Sequence, residues 1–197
     1  METAGLAPAK KGATQCHYDI AFHDESGLSE RPTVRRTWSL KGRTPIISSV
    51  FSWKNLSMIA TLICTPLGRK TKLFFRIMAG TVKGKQIIGY LKELKRYRSK
   101  KKLLLIWDGL PAHRSKQVNK FLNNERSWLK VARLPAYAPD LNPVEYLWSA
   151  MKNKDLCNLV PEGIKSLKRA AKRSKQRIER HPTLLKSFLK ASGLYER

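Results

Sequence analysis

The sequence predicts a mixed α/β domain, a sheet antiparallel in its first part and parallel in its later part, flanked by helices. Three observations carry this. The first half of the chain holds apolar runs rich in β-forming residues, set apart by turn residues. The second half alternates amphipathic helical spacing with short apolar runs. Between them stands Leu103–Trp107, LLLIW, an apolar run without alternation, as expected of a strand buried on both faces.

The elements follow in order. Residues 1–15 read as a weakly ordered leader. In YDIAFHDES, Tyr18, Ile20, Phe22 and Asp24 share one strand face, with Asp24 at the strand's end. WSLKGRTPII reads as a hairpin with Lys41-Gly42 at its turn. Further strands are expected near residues 46–51, 56–63 and 73–78, with Pro66-Leu67-Gly68 turning the chain between the last two. Ile87, Ile88, Leu91 and Leu94 recur at helical spacing and predict a helix over 85–98. Residues 115–124 read as a helix and Val131–Leu134 as a strand. Helices are expected again over 142–156, 163–178 and 183–189. In the second of these, Ile164, Leu167, Ala171, Ser174 and Ile178 form a narrow apolar seam among bases. The division drawn from this is a core over 16–160 and a basic helical extension over 161–197.

Charge narrows the function. Lys and Arg number 40 against 14 Asp and Glu, a net of +26, while 42% hydrophobic residues suffice for a core. Such an excess suits a polyanion, and nucleic acid is the commonest. No apolar run approaches a membrane span of about 18 residues, and the N-terminus lacks the apolar stretch of a secretory signal. Cys16, Cys64 and Cys157 are scattered, with no CxxC pair, which supports neither a disulfide framework nor a structural zinc site. The expected setting is cytoplasmic, on chromosomal DNA.

With so few acids, three stand out: Asp24, Asp108 directly after LLLIW, and Glu145 in the first turn of a helix opened by Asn142-Pro143. Strand ends in α/β sheets gather ligands, and a buried carboxylate must be paired, protonated or metal-bound. Each also has a plainer reading. DESG and Asp108-Gly109 are good turn chemistry, and Glu145 fits a helix N-terminus. Together they form an all-oxygen donor set suited to Mg²⁺ or Mn²⁺. In a basic protein the substrate oxygens would be those of a phosphodiester, handled by two ions. His23 reads as an ordinary edge residue on the face opposite Asp24. His113 reads equally as a contact to the metal shell or DNA and as a loop-fixing hydrogen-bonder. HExxH and GxxxxGK[ST] are both absent.

The words around these acids, FHDESG, LLLIWDGLPAHRS and LPAYAPDLNPVEYLW, in that order, resemble the catalytic domain of DDE transposases. The likeness is greatest to the insertion sequence 630 family of the Tc–mariner superfamily and covers about residues 16–160. It implies a ribonuclease H-like fold and Mg²⁺-dependent DNA strand cleavage and strand transfer, with two ions held by Asp24, Asp108 and Glu145 and Mn²⁺ able to substitute. The last two acids lie 145 − 108 = 37 positions apart, close to the family's separation. Gly109 stands where many relatives have Asn. Only 23 residues precede Asp24, fewer than a helix-turn-helix needs. The expected partners are therefore transposon-end and target DNA, an upstream helix-turn-helix frame or fusion, and a second copy in a homodimer. Candidate DNA contacts are His113, Arg114, Lys116, Lys168, Arg169, Lys172 and Arg173, the last four on the basic helix. The rival readings are a catalytically silent DNA-binding remnant and a repair-type nuclease on the same fold.

Overall fold

The computed structural model describes residues 11–195, apart from residues 14, 32, 47, 49–51, 100 and 136–137. Five strands form one sheet: β1 (Asp19–Ser29), β2 (Asn55–Cys64), β3 (Thr71–Ala79), β4 (Leu103–Trp107) and β5 (Leu129–Arg133). Their order is β3-β2-β1-β4-β5. β1–β2 and β2–β3 pair antiparallel, and β1–β4 and β4–β5 pair parallel. The expected mixed sheet is present, with the ribonuclease H-like arrangement.

Helix α1 (Gly84–Tyr97) carries the chain from β3 to β4, and α2 (Lys116–Asn124) from β4 to β5. Both cover one face, where Ile87, Tyr90, Leu91, Leu94 and Val118 pack on Ala21, Leu103, Leu105 and Trp107. The other face takes α3 (Pro143–Ala150), α4 (Ile164–Glu179) and α5 (Pro182–Ala191). These bury Val144, Leu147, Trp148, Leu167, Ala171, Ile178, Leu185 and Phe188 against Ile20, Phe22, Leu104 and Ile106. Strand alternation thus divides β1 between two cores: even-numbered residues from Tyr18 to Phe22 face α3–α5, and Ala21 faces α1–α2. LLLIW is wholly buried because both sides are covered.

Several expectations change. β1 runs on to Ser29, so Asp24 lies within the strand. Residues 34–46 hold no strand; a turn at Leu40–Arg43 is present without the flanking hairpin. The rest of the strand expected near 46–51 lies largely outside the described residues. Of the leader, residues 11–13 and 15 are helical and Ala13 is buried, while the remainder lies outside the description. The helix expected over 142–156 is α-helical only to Ala150 and continues as a π-turn, Met151–Asp155. Residues 161–197 are no appendage in packing terms, because α4 and α5 supply buried side chains to the same core as β1 and α3.

Candidate active site

The topology sets one sheet end apart. The C-terminal ends of β1, β3, β4 and β5 and the start of β2 all lie there. The β1–β4 register pairs Phe22 with Ile106, and two residues further on that register brings Asp24 level with Asp108. Both continue the face that packs against α3. Asn142 caps α3 by accepting the Val144 N–H at 3.2 Å, with Pro143 in the first turn. Glu145 therefore sits in the first turn, the reading that sequence gave as its plainer alternative, and it also faces the acids. Asp24, Asp108 and Glu145 line one cavity of about 660 Å³, together with Arg114, Arg133 and Asn142.

The environments of the three acids differ. Asp24 is 8% exposed. Burial pushes its carboxyl up to about 7, opposed by the Trp148 indole and reinforced by the charges of Glu145 and Glu25. Trp148 Nε1–H donates to Asp24 Oδ2 at 2.7 Å; it lies one helical turn after Glu145, so one face of α3 bears on both. Burial raises Glu145, Lys152 opposes this, and Asp108 adds to it. For Asp108 burial also acts upward, but hydrogen bonds win and hold it below its ordinary value. Leu110 N–H and His113 Nδ1–H donate to its Oδ1 at 3.0 and 2.7 Å.

Lys152 sits in the π-turn after α3. Burial lowers its ammonium, while Glu145 and Asp24 favour the charged form. A π-turn inserts an extra residue into the helical repeat and so re-aims the side chains that follow, a device common at functional sites. Sequence reading missed Lys152, Trp148, Arg133 and Glu25. Trp148 and Glu25 stood inside the words LPAYAPDLNPVEYLW and FHDESG, and Arg133 had a signal in its place at the end of a parallel strand.

The His23 reading changes, and of the two His113 readings the loop-fixing one fits. His23 is 1% exposed and is no edge residue; it faces Thr61, Glu25 and Trp107 on the α1 side. His113 is 2% exposed, stacked on Trp107 with ring centroids 4.2 Å apart, and bonded to Asp108. It fixes the loop after β4 and lacks the exposed edge a DNA contact needs. Arg114, Lys116, Lys168, Arg169, Lys172 and Arg173 are exposed.

A ribonuclease H-like sheet with three carboxylates on one cavity at its strand ends places the chain among proteins built for phosphodiester chemistry. The model of the DDE superfamily endonuclease family matches residues 19–168, and the chain belongs to that family. Among solved structures it is similar in fold to a Mos1 transposase paired-end complex with left transposon end, at 16% identity and a TM-score of 0.62 over 98% of this chain and 62% of that one. A Mos1 strand transfer complex gives 16% identity and a TM-score of 0.57 over 96% and 61%. A Mos1 catalytic domain with raltegravir and Mn gives 14% and 0.54 over 100% of this chain and 98% of that one. The chain thus spans under two thirds of the complexed transposases but nearly all of the separate catalytic domain. No curated protein matches the sequence.

Proposed function

We propose that the chain is the catalytic portion of a Tc–mariner-type transposase, which cuts DNA at transposon ends and joins the freed 3′-hydroxyl to target DNA. One observation carries this reading: Asp24, Asp108 and Glu145, brought from two strands and a helix, line a single cavity in a protein of net charge +26. The donor set fits Mg²⁺ or Mn²⁺, being three hard oxygen donors. The buried Asp24 carboxyl, pushed up to about 7 by burial, also needs an opposing positive charge to stay ionised in neutral solution. When bound, two such ions activate the attacking water or hydroxyl and stabilise the leaving oxygen.

The chain's own residues do the rest. Trp148 orients Asp24, and the Leu110 N–H with His113 orients Asp108. Lys152 sets a positive charge beside Glu145 and Asp24. Arg114 and Arg133 reach phosphates from the cavity rim, while Lys116, Lys168, Arg169, Lys172 and Arg173 hold the DNA backbone farther out. A helix-turn-helix region in the same or a neighbouring frame supplies end recognition, and two copies act together. The test is cleavage of labelled DNA carrying a transposon end, with Mg²⁺, with and without an upstream helix-turn-helix partner. Cleavage lost in Asp24→Asn, Asp108→Asn and Glu145→Gln, with DNA binding retained, is the expected result. Metal-dependent cleavage surviving all three substitutions would overturn it.

A further inference from the structure

Behind Asp108, on the α1 side of the sheet, three side chains converge. His23 Nε2 lies 3.0 Å and His113 Nε2 lies 3.1 Å from the same atom, Glu25 Oε1. All three donor atoms lie within 4.8 Å of one another. Glu25 follows Asp24 directly and so points to the opposite face of β1.

Hydrogen-bond direction shows what this cluster requires. Tyr90 O–H donates to the Phe74 carbonyl at 3.0 Å, so the Tyr90 oxygen accepts from Thr61 O–H at 2.8 Å. Thr61 Oγ1 then accepts from His23 Nδ1–H at 2.9 Å. On the other ring, His113 Nδ1–H donates to Asp108. Both Nδ1 atoms therefore carry a proton, and both Nε2 atoms face one carboxylate oxygen. Three potential ligand atoms thus converge on one point, where a dication can replace any Nε2 protons. The second Glu25 oxygen is buried with no hydrogen-bond partner, as a ligand atom can be before its ion arrives.

We propose that His23, Glu25 and His113 form a binding site for a borderline transition-metal dication such as Zn²⁺, separate from the all-oxygen carboxylate site. Two imidazoles and a carboxylate are a common zinc donor set, whereas Mg²⁺ prefers oxygen alone. Tetrahedral bonds of about 2.0–2.2 Å set donors roughly 3.3 Å apart, and each imidazole Nε2 already lies near that distance from Glu25 Oε1. The outer partners are those of ligating histidines, whose second nitrogen is held by an oxygen: Thr61 for His23 and Asp108 for His113. A cavity of about 530 Å³, lined by Glu25, His113, Ser26 and Leu110 among others, gives a route in and room for a further ligand. The ion would make His113 a rigid strut beneath Asp108.

The test titrates the full chain with Zn²⁺ against a chromophoric chelator and records the visible spectrum with Co²⁺. One equivalent should bind, and Co²⁺ should give the intense absorption of a tetrahedral ion. His23→Ala, Glu25→Gln and His113→Ala should remove that equivalent. Asp24→Asn and Glu145→Gln should keep it, which separates this site from the carboxylate site. Thr61→Val, which preserves core volume, should weaken binding about 10–100-fold. No stoichiometric Zn²⁺ binding, binding unchanged by Glu25→Gln, or only the weak spectrum of six-coordinate Co²⁺ would each overturn the proposal. The cluster would then be held by extra imidazole protons alone.

Discussion

Asp24 shows the cost of a site residue. The unfolded chain releases its proton near 3.8, whereas burial holds the folded carboxyl to about 7. Between these values the folded state binds more protons, so stability falls as pH rises through the window and is lowest above it. Asp24→Asn removes the buried charge and can still accept from Trp148. In chelator at about pH 8 it should raise the melting temperature by upward of about 4 °C, with no gain near pH 4. Mg²⁺ should stabilise the parent at pH 8 and lose most of that effect in the variant; calorimetry reads both. Lys152→Gln should lower cleavage by about 10²-fold with DNA affinity little changed, as expected of a charge set beside the reacting groups; single-turnover rates against binding constants decide this. The three acids were legible because each sits in a distinctive word of sequence. Glu25, His23 and Trp148 stand in the same words, but their roles were not legible, because Thr61, His113 and Asp24, the partners that assign them, lie 38 to 124 positions away. Strand parity did place His23 opposite Asp24, but the side chains covering that face came from α1 and α2.

Among the elements, α4 separates packing from charge most clearly. Its seam was readable from spacing alone, and Leu167, Ala171, Ser174 and Ile178 are buried as that spacing predicts. The consequence of that burial was not readable, since periodicity reveals an apolar face but not what it meets. Deleting residues from Gly163 onward would strip Leu167, Ile178, Leu185, Phe188 and Leu189 from the main core. Each large buried side chain is worth roughly 2–5 kcal/mol, so that truncation should lose cooperative unfolding altogether. The question of DNA contact belongs instead to the exposed bases. Lys165 and Lys168 border a cavity with Lys54, Asn55 and Gly80, at the sheet end that carries the acids. Arg169 follows Lys165 by one helical turn and Arg173 by two, beyond the residues that border that cavity. Lys165→Glu with Lys168→Glu should weaken DNA binding more than Arg169→Glu with Arg173→Glu, with both melting temperatures near the parent's. Equal losses would place the DNA path along the whole helix. The lost hairpin is the opposite case: Lys41-Gly42 reads as a hairpin turn, yet Trp38 is 99% and Ile46 88% exposed on either side of it. Among the described residues there, turn chemistry alone finds no neighbouring strand to pair with.

For the whole molecule, two opposed fields meet. The surface is strongly basic, with net charge +26, while the cavity at the strand ends holds three carboxylates. No described helix is long and apolar enough to cross a membrane. Phosphates should be drawn to the surface by counterion release, with log affinity falling against log salt by about 0.9 for each phosphate neutralised. At the cavity the same phosphates meet like charge, which low salt screens weakly. Without divalent ions the acids should therefore oppose the last step of docking. Glu145→Gln should then bind DNA at least as tightly as the parent in chelator, with an unchanged salt slope because no base has been removed. Mg²⁺ at constant ionic strength should tighten the parent more than the variant. Fluorescence anisotropy over a salt series, run with chelator and with Mg²⁺, reads all three quantities. A Glu145→Gln variant that binds more weakly than the parent in chelator would mean that the carboxylate supports the DNA path rather than repelling it.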